Sequence, residues 1–352
     1  MPFGNQLAER RHGERGISME NFWAGKKVLV TGASGFIGSW LTEELVARGA
    51  DVTAFVNKSD PLGVEAIKHL ENLKVVDGNI LDKDKVAEAV AGKDYVFHLA
   101  AATQVLHVIK HPREAVDVNI DGTANILDAL RNNSKTFLVF ASTDKVYGEP
   151  IKVPIDESHP LVGKSVYDAT KIGADRLVKA YGTTYGTSSV IVRCANIYGG
   201  RDANILRVIP DFVLNILDGK PPVIRGSGEH IRDFMHVSDA VSAYLTVAEK
   251  QNISNGQEFN FGTGRPMKVI NLTNMLIKII GKDLQPVVMG SKSHQSEILH
   301  QYLDSSKAEK MLGWKPKVNL EDGLKMTAEW YAQNSWWRAV MQNFSEYYKV
   351  RE

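Results

Sequence analysis

Cysteine is almost absent: Cys194 is the only one in 352 residues. A single thiol excludes an intramolecular disulfide framework and fits a reducing compartment. Long hydrophobic runs are also missing, with nothing near the roughly eighteen apolar residues in a row of a membrane span. Neither sign of charge is in excess. Lys and Arg total 42 against 41 Asp and Glu, a net charge of +1. That balance gives no reason to expect nucleic acid or an anionic membrane as partner, so any bound anion must be held by a local site. Met1 to Ser18 is rich in Arg, Gly and Glu and lacks the apolar core of a signal peptide. Residues 1–24 therefore read as a disordered leader, with Met19 as an alternative start. Together these absences predict a soluble, cytoplasmic chain.

What is present describes a folded protein. Apolar residues make up 43% and charged residues 24%, enough to bury a core. At about 100–200 residues per domain, the length suggests two domains, or one large fold with an appended lobe. Short β-branched or apolar runs at 27–31, 51–57, 75–76, 95–99, 136–141 and 189–193 alternate with helical patterns. The helices are expected at 39–49, 82–91, 112–133 and 167–185. Strands alternating with helices imply right-handed βαβ units and a parallel sheet covered on both faces. After Cys194 the rhythm breaks at Pro210, Pro221 and Pro222, and a last helix is expected over 321–334. The expected organisation is a dinucleotide-binding domain over 25–196, with 231–262 returning to it. A smaller C-terminal α/β substrate-binding lobe takes 197–230 and 263–345. Trp314, Trp330, Trp336 and Trp337 are expected to seal that lobe.

Gly32-x-x-Gly35-x-x-Gly38 falls between the first strand and the first helix. At this place a glycine triplet has three physical uses. The first glycine permits a tight turn, the second lets backbone amides reach a pyrophosphate, and the third brings the helix close to the sheet. The reading is a Rossmann-type doubly wound fold with Gly32, Ser34, Gly35, Phe36, Ile37 and Gly38 around the cofactor. An acid for the adenosine ribose is expected at the end of the second strand, but Val56, Asn57, Lys58 and Ser59 stand there. Asn57 and Lys58 are still cofactor candidates, and NADP stays open beside NAD. Asn79 and Ile80 could meet the adenine, although Asn79 could equally be a turn residue.

Tyr167-x-x-x-Lys171 puts a phenol and an ammonium on one helix face. A tyrosine with a reference pKa of about 10 is a poor base near neutrality unless a cation stabilises its phenolate. Thr143, Asp144 and Lys145 come directly after the fifth strand. Strand carboxyl ends are where doubly wound sheets bind ligands, and a hydroxyl, an acid and an amine there can align a sugar oxygen and move protons. His98, His107, His111, His230, His236, His294 and His300 show no tight ligand cluster, so no metal is expected.

With Thr31 to Gly38, His98-Leu-Ala-Ala101, Asn119, Tyr167/Lys171 and Arg232-Asp-Phe234 in place, the chain resembles the extended short-chain dehydrogenase/reductase family. The match runs from about Asn21 to Tyr331. Thr143-Asp144-Lys145 resembles the version found in nucleotide-sugar 4,6-dehydratases. The stretches 207–211, 220–225, Glu297-Ile298 and 301–307 resemble the CDP-glucose branch, whereas 156–158 and 226–232 are closer to epimerases and the dTDP branch. The resemblance implies Leu99, Ala100 and Ala101 at the cofactor, and Asn119 ordering the lysine and a water. It implies Thr103, Asn196, Arg207 and Arg232 on the substrate, with the last three at its diphosphate. It further implies NAD, a nucleotide-diphospho-sugar substrate, and a product that is a 4-keto-6-deoxy sugar nucleotide. A nucleotide-sugar 4-epimerase is the alternative. A homodimer is implied through helices 112–133 and 167–185, with Val116, Ile120, Ala124 and Leu127 as an apolar stripe that could instead face the sheet.

Overall fold

The structure is a computed structural model that describes residues 22–350 apart from 60, 61, 63, 72 and 291–297, with side chains to Tyr348. The leader to residue 21, Met19, His294 and Glu297 lie outside the described residues. Order begins earlier than Lys26. Trp23 is buried, donates to Glu249 at 2.6 Å and meets the Tyr95 ring edge-on at 5.2 Å.

Seven parallel strands form the central sheet: β1 (Lys27–Thr31), β2 (Asp51–Val56), β3 (Lys74–Asp77), β4 (Tyr95–His98), β5 (Phe137–Thr143), β6 (Ser189–Cys194) and the strand Glu258–Phe261. Their spatial order is Glu258–Phe261, β6, β5, β4, β1, β2, β3. This is the Rossmann-type doubly wound α/β fold. The chain runs outward from β1 to β3 and returns to β4 on the other side of β1, which opens a crevice at the carboxyl ends of β1 and β4.

Alternation along the strands builds a core on each face. Val28, Val30, Phe97, Val139 and Val192 pack on one side with Tyr244 and Phe259. Leu29, Val96, Leu138, Phe140 and Ile191 pack on the other with Ile126 and Val178. A further cluster gathers Phe212, Val213, Leu272, Leu276, Leu324, Tyr331 and Trp337 from the later chain. Trp330 and Trp337 belong to this last cluster, but Trp314 does not. Its ring stands edge-on to Phe261, 4.8 Å away, on the main sheet, and Trp336 is exposed.

The helix expected at 112–133 is real but interrupted. Pro112–Val116 and Gly122–Arg131 are joined by a π turn, Asp117–Asp121, that carries Asn119. A six-residue helix, Val105–Lys110, precedes it and has no counterpart in the sequence pattern. The apolar stripe splits. Leu127 is buried against the sheet, while Val116, Ile120 and Ala124 are half-buried.

His98 locks β1, β4 and the helix after the π turn. Its Nδ1 lies 2.8 Å from Thr31 Oγ1 and its Nε2 3.1 Å from Thr123 Oγ1. Thr123 gives its own proton to the Asn119 carbonyl at 2.7 Å, so the network fits a neutral imidazole with its proton on Nε2. Burial, with Lys171 adding repulsion, pushes His98 down to about 3, and burial pushes His236 down to about 4. The unfolded chain takes up these protons below about pH 6.5, where the folded chain does not, so stability falls as pH falls. Each histidine contributes a slope of about 1.4 kcal/mol per pH unit in that window. Urea unfolding between pH 6.5 and 4.5 should therefore show a shallower loss of stability for His98→Gln than for the unaltered chain. Equal slopes would refute this.

Candidate active site

The glycine loop occupies the carboxyl end of β1. Gly32 has φ +67°, and a Cβ there would sit 2.8 Å from the Ala100 backbone nitrogen. A Cβ on Gly38 would collide with the Gly32 carbonyl oxygen. Glycine is therefore required at both ends of the triplet, and the loop lies directly against Leu99 and Ala100. Helix Phe36–Ala47 starts from Gly35 with no side chain capping it. Its first-turn amides, from Phe36 and Ile37 beside the buried Ser34, form a cradle for an anion. The donor set fits a dinucleotide pyrophosphate.

Beside this cradle, Asn57 and Lys58 lie on the exposed turn after β2. Nothing in the sequence of that turn repels a 2′-phosphate, yet the fold supplies an acid. Asp77 at the end of β3 accepts from the Lys58 amide at 3.0 Å. Asn79 uses its side-chain oxygen on the Leu81 amide at 3.0 Å, the turn role, and Ile80 is buried beneath Gly122.

The second half of the site stands at the end of β5. Thr143 ends the strand and begins a 3-10 turn, Asp144–Tyr147, accepting from the Lys145 amide at 3.3 Å. Its hydroxyl donates to Asp144 at 3.2 Å. The Lys145 ammonium meets three oxygens: Gln301 at 2.6 Å, Asp144 at 3.2 Å and Asn196 at 3.4 Å. Gln301 also donates to the Asp144 carbonyl at 3.0 Å, so the turn is clamped from a segment distant in sequence.

Helix Val166–Tyr185 opens with a reciprocal cap between Ser165 and Asp168, which fixes Tyr167 in its first turn. Burial pushes the Tyr167 phenol up to about 12. The Arg207 guanidinium and a hydrogen bond with Thr143 pull it back, while Asp144 and Asp168 oppose them. Lys171 shares the helix face as expected, but its ammonium donates to the Ala141 carbonyl at 2.7 Å and lies 4.5 Å from the Phe140 ring. Burial lowers Lys171 to about 8, with Asp175 opposing. Arg207, whose charge opposes the rise at Tyr167, is itself held by Asp202 at 3.1 Å.

Asn196 donates to the Asp233 carbonyl at 3.2 Å, next to Arg232. Arg232 pairs in register with Gln301, and its side chain donates to the Ile231 and Leu299 carbonyls. The structure therefore brings Thr143, Asp144, Lys145, Tyr167, Asn196 and Arg207 to one place, with Arg232 on the adjoining strand. Asn119 stands apart from that group. It is buried, bonding the Ala102 backbone at 2.8 and 3.2 Å and Thr170 at 2.9 Å, one position from Lys171. Thr103 is exposed. Sequence reasoning misses Gln301, Asp202 and Asp77 as site residues. Gln301 lies inside a stretch that resembles the CDP-glucose branch, but none of the three carries a local chemical signature.

Known proteins resemble this chain over most of its length. The family model described as GDP-mannose 4,6 dehydratase matches residues 29–327. A trifunctional UDP-glucose 4,6-dehydratase/UDP-4-keto-6-deoxy-D-glucose 3,5-epimerase/UDP-4-keto-L-rhamnose-reductase of Arabidopsis thaliana is 33% identical over 327 residues, 90% of this chain and 48% of that protein. The chain thus spans about half the length of that relative. A putative UDP-glucose 4-epimerase of Methanocaldococcus jannaschii is 34% identical, covering 88% of this chain and 99% of its own. Among solved structures, a dTDP-glucose 4,6-dehydratase from Streptomyces venezuelae with NAD bound superposes with a TM-score of 0.80 at 31% identity, covering 89% of this chain and 99% of that one. The chain belongs to the GDP-mannose 4,6 dehydratase family, among the extended short-chain dehydrogenase/reductases of nucleotide-sugar 4,6-dehydratase type.

Proposed function

We propose that this protein is an NAD-dependent nucleoside-diphospho-hexose 4,6-dehydratase, acting on CDP-glucose as a cytoplasmic homodimer. The observation that carries the reaction type is the Thr143–Asp144–Lys145 web, held beside Tyr167 by Gln301 and Asn196. A 4-epimerase needs only the tyrosine and its hydroxyl partner. An acid and an amine within reach of the same sugar are what water loss requires. The choice of CDP-glucose rests on the resemblance of residues 207–211, 220–225 and 301–307 to that branch.

Arg207, Arg232 and Asn196 take the diphosphate, where guanidinium forks match phosphate oxygens. Helix Val208–Leu217 runs from Arg207 to a cavity of about 570 Å³ lined by Asp211, Asn215, Val223, Arg225 and Met289. That volume suits a nucleoside. Val223 and Met289 give it apolar walls, and Asp211, Asn215 and Arg225 give it polar edges. The glycine cradle, Leu99–Ala101 and the turn at Asn57 and Lys58 hold the dinucleotide, and the Asp77 carboxylate beside that turn disfavours a 2′-phosphate. When bound, NAD supplies a hydride acceptor for the sugar C4 and then a hydride donor for C6.

Tyr167 takes the proton of the 4-hydroxyl while Thr143 aligns that oxygen. The resulting 4-ketone acidifies the C5 hydrogen; passing the proton shared across the 3.2 Å Lys145–Asp144 contact to Asp144 leaves Lys145 as the amine that removes it. Asp144, in its acid form, protonates the departing 6-hydroxyl so that it leaves as water. Lys145 returns its proton to C5. The proton gained by Tyr167 restores Asp144 through the Thr143 hydroxyl, which contacts both. The balance is one water lost, with no external oxidant or reductant.

Incubation with CDP-, dTDP-, UDP- and GDP-glucose should give a product lighter by one water and absorbing in alkali, fastest with the CDP sugar. An epimer of unchanged mass would establish the 4-epimerase instead. Lys145→Met should still oxidise C4, accumulate the absorbance of reduced nicotinamide and exchange little deuterium at C5, whereas Tyr167→Phe blocks the first step. Water loss near the unaltered rate in Lys145→Met would remove Lys145 from the reaction. Arg207 stabilises the phenolate, so Arg207→Ala should raise the pKa of Tyr167. The acid limb of kcat against pH should then move upward by about one unit or more, with Arg207→Lys moving less. An unmoved limb would leave Arg207 with substrate binding alone.

A further inference from the structure

Helix Trp337–Val350 lies beyond residue 327, where the family match ends, and the dehydration chemistry does not use it. Its first turn is fixed to the later chain. Arg338 pairs with Asp218 at 2.6 Å, and the Trp337 and Trp330 rings meet edge-on at 5.7 Å. From there it reaches two segments of the sheet half of the molecule. The Lys68 ammonium lies 5.7 Å from the ring of Trp336, the residue just before the helix, and Val340, Met341 and Phe344 belong to the same apolar cluster as Leu62 and Ala66. At the far end the Tyr348 ring meets His107 at 5.0 Å, backed by Phe344 at 4.9 Å.

Leu62, Ala66 and Lys68 belong to the segment leaving β2, and His107 to the segment leaving β4. Strand β1 lies between β2 and β4, so the glycine loop lies between those two segments. A path from the one segment to the other along the carboxyl ends of the strands crosses the edge of β1. The helix length of about 21 Å is ample for the two strand spacings of about 4.8 Å on that path.

We propose that helix Trp337–Val350 is a clasp closed over the dinucleotide, and that its Tyr348–His107 contact sets how fast the cofactor leaves. The inference rests on the dehydratase reading, in which the cofactor is regenerated within each cycle and has no need to exchange. A clasp across the cradle serves such an enzyme and would hinder one that releases its cofactor every turnover.

The test measures dissociation of labelled NAD from the loaded full-length protein after a chase with unlabelled NAD. Tyr348→Ala should speed release about tenfold, the scale of a lost aromatic pair, while Tyr348→Phe, which keeps the ring, stays within about twofold of the unaltered protein. His107→Ala should speed release similarly, and the double variant should add little, as expected for two sides of one contact. The melting temperature of the cofactor-free variants separates the clasp from general damage, because the clasp predicts faster release without a matching loss of stability. Release at the unaltered rate in Tyr348→Ala, or acceleration that adds fully in the double variant, overturns the clasp. If the unaltered protein binds no NAD at all, the cofactor reading itself fails.

Discussion

The site depends on one buried ion pair, Arg193 with Asp175. Arg193 donates from Nε and Nη2 to the two Asp175 oxygens at 3.0 and 2.9 Å, and both side chains are almost fully buried. Ser142 donates to the same carboxylate at 2.8 Å. The remaining guanidinium nitrogen reaches the Tyr147 hydroxyl at 2.9 Å, which donates in turn to Asn260 at 2.7 Å. Five elements meet in this network: β5, β6, the 3-10 turn, helix Val166–Tyr185 and the strand Glu258–Phe261. Removing one partner of such a pair costs about 3–5 kcal/mol, because the other charge is left buried and alone. Its place in the fold matters as much as its energy. Thr143 is the neighbour of Ser142, Lys145 sits two residues before Tyr147, and Lys171 and Tyr167 lie four and eight residues before Asp175 on one helix. The candidate reacting groups are set from beneath by this network.

Electrostatics on the upper side complete the arrangement. Burial alone would leave Tyr167 a phenol and disfavour the charge on Lys171. The chain does not answer both with one contact. Asp175, from below, supports the lysine charge, while Arg207, held by Asp202, acts on the tyrosine from the later chain. Arg207 is also the residue read as a diphosphate ligand, so substrate binding and the ionisation of the base share a side chain. On the proposed reading, a nucleotide sugar that engages Arg207 would change the field at Tyr167 and so couple recognition to the first proton transfer.

Much of this is legible in sequence because it is local. The βα rhythm, the glycine spacing and the strand ends depend on neighbours within a few residues, and they place all but one strand of the sheet in outline. What escapes is long-range. Trp314 looks like part of an aromatic tail, yet Phe261 on the main sheet supplies its partner. The π turn at Asp117–Asp121 leaves no apolar mark, since one extra residue in a helix alters facing and leaves composition unchanged. Asp77 is silent in its own strand and becomes meaningful only because β3 lies beside β2. Gln301 cannot titrate and has no motif, and its partner Lys145 is 156 positions away.

That distance bears on how one scaffold can serve both dehydratase and epimerase relatives. Oxidation at C4 needs a tyrosine, a hydroxyl partner and a bound dinucleotide, all supplied by β1, β5 and one helix. The fate of the ketone depends on whether an acid and an amine are held against the same sugar. Here the amine is gripped by Gln301 and Asn196, which come from strands outside the main sheet. In the dehydratase reading, the sheet half would run the redox step, while the later chain would fix the two groups that turn a reversible ketone into a committed loss of water. Changes in those later strands would alter the outcome without disturbing the first step.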